Sequence, residues 1–306
     1  MKVLVTGATG FIGGAVVPDL LAAGHEVTCL VREPARLVAP WRTGVRVVTG
    51  RVEDAQAVLR AGDGAEVALF LVHGMGRRRR GLVVRERQAA AAFRDGAELA
   101  GISHLVYLGG LVDEDELWRT AEHRYARHQA GVALRQGAVP VTELRAGIVL
   151  GAGSASFALL LAAAQGPVQI DAPWAARRTQ PVAIADLRRL LVRVVAEGAG
   201  PRSSVLEVGG PEVVTYGELV ARTRQALGAP ARPRLRVPYL PPEVAAVVGA
   251  RAAGLPLPLV GSLLPSVCHD AVVRDDRLGT RFPGVVTTGL AAALNAAVAA
   301  HRRAAG

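Results

Sequence analysis

A chain of 306 residues is longer than one hydrophobic core usually serves, so one large domain with a smaller appended lobe is expected. Apolar residues at 51% against 20% charged exclude a disordered chain. The formal charge of +10 raises nucleic acid and acidic membrane surfaces, but arginine carries nearly all of it, Lys2 being the lone lysine, and no aromatic residues interleave with the basic ones as base-stacking platforms would.

Apolar runs of strand length alternate with helical periods, the pattern of a parallel sheet covered by helices on both faces, a Rossmann-type α/β fold. Strands are predicted over Lys2–Thr6, Glu26–Val31, Arg46–Gly50, Val67–Val72, His104–Leu108 and Val141–Leu144. Helices fall between them at about Phe11–Ala23, Ala55–Ala61, Val84–Ala100 and Ala121–Gln136. Residues 1–150 thus read as a dinucleotide-binding domain. Residues 151–306 read as a mixed region that returns one strand and one helix to the core at about 180–210 and builds a smaller substrate lobe. Helical periods recur at Ser154–Gln165, Asp186–Glu197, Tyr216–Leu227 and Thr288–Arg303, with a further strand at Ser204–Val208. From Pro230 to Pro265 the chain is apolar, and its prolines are expected to break any long helix.

Cys29 and Cys268 have neither metal-ligand nor redox spacing, so no metal is expected and a reducing, cytoplasmic setting fits. No apolar run reaches the length of a membrane span, and the Arg77 to Arg80 cluster reads as a solvated loop. The expected partner is a small-molecule substrate; monomer and homodimer stay equally open.

The motif that carries chemistry follows the first strand: Thr6-Gly7-Ala8-Thr9-Gly10-Phe11-Ile12-Gly13-Gly14. Gly7 permits the tight turn, Gly10 lets backbone approach a pyrophosphate, and Gly13 lets the helix pack against the strand. The free N–H groups of the helix start, with its dipole, then hold the phosphates. An NAD-preferring site carries an acidic residue near the end of the second strand. Here that strand ends Leu30-Val31-Arg32-Glu33-Pro34, so Arg32, with Arg36 as a second candidate, is placed to pair with the 2′-phosphate of NADP(H).

These residues resemble the extended and atypical short-chain dehydrogenase/reductase superfamily, and more closely its NAD(P)H-binding group related to NmrA-like and nucleoside-diphosphate-sugar-epimerase proteins. Leu71-Val72-His73-Gly74, Val106-Tyr107-Leu108-Gly109-Gly110, Val139-Pro140-Val141-Thr142-Glu143-Leu144-Arg145, Thr179-Gln180-Pro181-Val182-Ala183 and Gly209-Gly210-Pro211 carry the likeness over nearly the whole chain. The resemblance implies that Gly7, Thr9, Gly10, Phe11, Ile12, Gly13, Arg32, Leu71, Val72, His73, Leu108, Gly109 and Arg127 line the cofactor.

The family's Ser and Tyr-x-x-x-Lys are absent. Gly110 stands where the Ser is expected, His123 at the Tyr position and Arg127 at the Lys position. His123 and Arg127, spaced i and i+4, share one helix face, where Arg127 can hold ribose hydroxyls and His123 can move a proton. Tyr125 is the rival donor, projecting from another side of the helix. The charged run Glu122, His123, Arg124, Arg127, His128 also reads as a solvated surface. His73 reads equally as core or substrate contact. Arg51 replaces an acidic residue that relatives use at the adenine edge. Glu143 and Arg145 read as a structural ion pair near the cleft mouth. The resulting expectation is an NADPH-dependent oxidoreductase acting on a small, largely apolar carbonyl, enone or quinone-like substrate. A redox sensor without turnover and a non-redox cyclase, dehydratase or isomerase are the alternatives.

Overall fold

The computed structural model describes residues 1–72, 81–115, 117 and 121–305. Its first half runs β1 (Lys2–Thr6), α1 (Phe11–Ala22), β2 (Glu26–Val31), β3 (Arg46–Thr49), α2 (Ala55–Gly62), β4 (Val67–Phe70), α3 (Leu82–Leu99), β5 (His104–Gly110), α4 (Glu122–Leu134) and β6 (Val141–Ala146). Then follow β7 (Val149–Leu150), α5 (Ala155–Gln165), β8 (Gln169–Asp171), β9 (Arg178–Thr179), β10 (Val182–Ala183), α6 (Ile184–Glu197), β11 (Ser204–Val208) and β12 (Val214–Thr215). Last come α7 (Tyr216–Ala226), β13 (Arg234–Arg236), α8 (Pro242–Ala253), α9 (Leu257–Leu263), α10 (Arg277–Arg281) and α11 (Leu290–Ala305).

Seven strands form one parallel sheet in the order β11-β6-β5-β4-β1-β2-β3. Side-chain alternation sorts each strand onto two buried faces. Val3, Val5, Val67, Leu69 and Val106 pack under α1 and α6, against Val16, Leu20, Leu187, Leu191 and Val194. Leu4, Ala68, Phe70, Leu105 and Tyr107 point the other way, into Val58, Ala90, Phe93, Ala97, Ala130 and Leu134 of α2, α3 and α4. The sheet order changes direction at β1 and β4, which is where open parallel sheets bind ligands.

Three expectations shift. Strand β4 stops at Phe70 rather than Val72, because the Leu71 N–H turns to Thr6 Oγ1 at 3.4 Å. Strand β5 runs on to Gly110, held in register with β6 through Gly110 opposite Ala146. The prolines between 230 and 265 do not prevent a 12-residue helix: Pro242 opens α8, where a missing N–H costs no hydrogen bond.

The remainder forms a lobe. Phe157, Leu161, Leu219, Leu294 and Val298 of α5, α7 and α11 make its core, with a small cluster of Ala246, Ala250 and Val260 beneath α8 and α9. Asp186 at the start of α6 is fully buried and fastens the approach to α11, accepting from the backbone N–H groups of Thr287 at 3.0 Å and Thr288 at 2.8 Å.

Candidate functional site

Each glycine of the opening loop has an observable reason. Gly7 adopts φ +77°, and a Cβ there would stand 2.7 Å from the Leu71 carbonyl oxygen. A Cβ on Gly13 would run into the Gly7 carbonyl, so α1 approaches the loop only without one. Gly10 is the N-cap of α1 and supplies no side-chain hydrogen bond, which leaves the first N–H groups of the helix, those of Phe11 and Ile12, to an outside acceptor. Thr9 and Gly10 are exposed beside them. Thr6 Oγ1 donates to the Leu69 carbonyl at 3.0 Å, tying the loop's entry to β4. A cradle that a Cβ would fill, topped by an open helix start, suits a pyrophosphate.

Arg32 leaves the end of β2 exposed, with Arg36 in the 3-10 turn that follows, and among the described residues neither forms an ion pair. Arg51 lies 3.9 Å from Glu53. Leu71 and Val72 are partly buried where β4 ends. His73, together with Arg77 to Arg80, lies outside the described residues.

Across the sheet, Arg127 reaches from α4 to the end of β5, its guanidinium donating to the Leu108 carbonyl. A Cβ on Gly110 would face Arg127 Nε at 3.8 Å, so the position expected for a Ser opens onto the guanidinium. That Nε is buried and has no partner among the described residues. Tyr107 of β5 anchors the same turn of α4 by donating to the Arg127 carbonyl at 2.8 Å; its complete burial pushes the phenol up to about 12.

One turn earlier, His123 meets the lobe. Ser266 Oγ, in the 3-10 turn Leu264–Cys268, stands 3.3 Å from both ring nitrogens, so it faces the ring edge between them and a small rotation selects either one. Burial first, then the charges of Arg127 and Arg124, push the His123 pKa down to about 3, against the pull of a hydrogen bond to the Ser262 backbone. The ring is neutral at pH 7.

The charged run on α4 is therefore not a solvated face. Arg124 is buried and donates through Nε to the Leu111 carbonyl at 2.7 Å, and His128 is buried beside Glu114. The lobe and the loop after β5 cover this side of the helix. Tyr125 turns elsewhere and stacks on His128 with centroids 6.5 Å apart. Glu143 and Arg145 are buried and paired at 2.7 Å, and Arg135 and Glu114 extend the network. Glu114 is held below the ordinary carboxylate range, chiefly by its hydrogen bond to Arg145. Sequence reasoning missed Ser262 and Ser266, since nothing local marks a serine in an apolar stretch 143 residues from its partner.

With that geometry in place, residues 7–152 match the NAD(P)H-binding family model. Oxidase ucsJ of Acremonium sp is 39% identical over 77 residues, 24% of this chain and 22% of that protein, so the chain spans about a fifth of this curated relative. The structure of DesIV, a dTDP-glucose 4,6-dehydratase of Streptomyces venezuelae with NAD and TYD bound, superposes with TM-score 0.73 at 19% identity, covering 99% of this chain and 97% of that one. Triphenylmethane reductase of Citrobacter sp. gives TM-score 0.71 at 19% identity, over 99% and 100%. At such identity the structures share the fold alone. Residues 7–152 are thus similar to NAD(P)H-binding domains, and the whole chain shares the Rossmann-type α/β fold of these structures. Among the described residues no helix is long and apolar enough to cross a membrane.

Proposed function

We propose that the protein is an NADPH-dependent oxidoreductase that reduces a small, largely apolar carbonyl, enone or quinone-like substrate between the Rossmann domain and the lobe. The observation that carries this reading is the pair on one face of α4: Arg127 laid over the end of β5 with an unpartnered buried Nε, and His123 one turn away against the lobe. The names of the Acremonium oxidase and the Citrobacter reductase agree with redox chemistry.

Bound NADPH supplies the hydride. The loop from Gly7 to Gly13 holds its phosphates, Arg32 and Arg36 take the 2′-phosphate, and Arg127 holds ribose hydroxyls. His123, being neutral, does not act as an imidazolium acid. Once released from the Ser262 backbone carbonyl, its ring N–H would polarise the substrate oxygen and hand over its proton, while the other nitrogen would take a proton relayed from solvent through Ser266. The ring begins and ends neutral. Substitution His123→Ala is expected to lower kcat about a hundredfold while NADPH affinity holds, the usual size of a lost proton-transfer partner. The wild-type kcat profile should show no inflection near pH 6.5 from this group. Unchanged turnover in the variant removes His123 from the reaction.

A second reading, a cofactor binder without turnover, is favoured by Gly110 in place of the Ser. Tight NADPH binding with no loss of NADPH absorbance across a panel of quinones, enones and ketones selects it over the first.

A further inference from the structure

Gly110, the last residue of β5, is a glycine that neither its backbone nor its packing requires. Its φ lies outside the left-handed region, and it stands in ordinary strand register with Ala146. A Cβ there would meet only Arg127 among the described residues, with Nε at 3.8 Å and Cδ at 3.9 Å, both normal contacts. Adjacent Gly109 is the opposite case. A Cβ on it would press on Glu143 Oε1 at 3.2 Å and Tyr107 Cε1 at 3.3 Å, so packing there excludes a side chain. Glycine weakens a strand that could hold a larger residue. What it leaves at position 110 is a space walled by the Arg127 guanidinium.

That guanidinium is incompletely used. Its Nη2 donates to the Leu108 carbonyl, while Nε is buried and has no acceptor among the described residues. A buried charged donor without an acceptor is unfavourable, and a ligand that completes it relieves the cost. Tyr107 fixes the same turn of α4 by donating to the Arg127 carbonyl at 2.8 Å, so donor and space keep their relation. His123, one turn earlier on the same helix face, carries a neutral ring. Neither side chain is a strong acid, since a guanidinium keeps its proton and a neutral imidazole yields one only to a strong base. The pair therefore suits an oxygen that gains and holds negative charge.

Resting on the reductive reading of the cleft, we infer that the space over Gly110 is its oxyanion site, that Arg127 Nε donates to the substrate oxygen there, and that the substrate is a conjugated carbonyl. Hydride from NADPH adds to the β-carbon of an enone, the C=C pair shifts toward the carbonyl carbon, and the C=O pair moves onto oxygen, leaving an enolate and NADP+. The Nε–H stabilises that enolate, which then takes a proton from His123. Arg127 is thus a catalytic residue as well as a ribose ligand.

The probe is para-nitrophenol, whose phenolate resembles the enolate and absorbs apart from the phenol. Titrated into the full chain saturated with NADP+, it is expected to bind as the phenolate, with its ionisation equilibrium moved about tenfold or more toward that form. Gly110→Ala fills the space at contact distance and should weaken phenolate binding about tenfold or more while NADP+ affinity holds. Arg127→Lys keeps the charge but lacks the Nε–H, and should abolish the ionisation shift. Failure to bind the phenolate overturns the inference, as does equal binding by either variant. Turnover separates it from the reading beneath it. Phenolate capture lost in both variants, with no NADPH oxidation by any enone, keeps the oxyanion site and removes the reductase; enone reduction unaltered in Gly110→Ala removes the site alone.

Discussion

In the proposed reading, Arg32 is the residue on which the choice between the two nicotinamide cofactors turns. Its planar fork matches a phosphate and offers nothing special to a bare ribose hydroxyl. Arg32→Ala is expected to weaken NADPH binding about tenfold or more while NADH changes little, as read by fluorescence titration with both. Equal losses would return the preference to open ground. The same scale explains why His123 behaves unlike a surface histidine. Its neighbours on α4 are arginines, and the lobe removes water from its ring, so two causes push the same way. Position on the helix was legible from spacing to Arg127, and so was the lowering of the ring pKa by that neighbouring cation; the larger contribution of burial was not, because burial by a segment 143 residues away leaves no mark on the local sequence.

At the scale of elements, α4 illustrates how one missing Cβ sets a helix position. Gly131 faces β6, where a Cβ would stand 2.5 Å from Glu143 Oε2, and Glu143 is buried in pairs with Arg145 and Arg135. Gly131→Ala should therefore cost about 2–4 kcal/mol, because overpacking disturbs a buried carboxylate that has no solvent to turn to. Gly14 in α1 is the contrast. Its Cβ would meet the Ala8 carbonyl at 3.4 Å, so Gly14→Ala should be neutral or gain up to about 1 kcal/mol from helix propensity. Urea denaturation of both variants separates a glycine required by packing from one that is merely tolerated. The sequence displayed both simply as glycines in helical periods. Only the sheet behind α4 and the loop before α1 distinguish them.

At the scale of the whole molecule, two features tie the lobe to the Rossmann domain. One is Asp186, whose carboxylate satisfies the N–H groups of Thr287 and Thr288 and the Thr288 hydroxyl. Asp186→Ala removes the shared acceptor of those donors, on exposed Thr287 and half-buried Thr288, and should destabilise by about 1–3 kcal/mol, seen as a lowered urea midpoint. The other is acid sensitivity. His123 and His104 are held down to about 3 and about 4 by burial, so below the unfolded value of 6.5 the unfolded chain takes up protons that the folded chain refuses. Stability is complete above pH 6.5 and falls as pH drops toward 4 and 3. A Tm series across that window should show the decline, and His123→Asn should flatten part of it.

The sequence by itself determined the parallel sheet, the dinucleotide loop, Arg32 and the i, i+4 spacing of His123 and Arg127. Strand and helix periods and a glycine loop are local, each written in a few consecutive residues whose conformational limits do not depend on distant contacts. Tertiary structure alone decided that Leu71 closes over Gly7, that Glu143 and Arg145 are sealed in a four-residue charge network, and that Ser266 faces His123. Each of these depends on which surfaces exclude water when remote segments meet, and burial of that kind is a property of the packed chain rather than of any stretch of it.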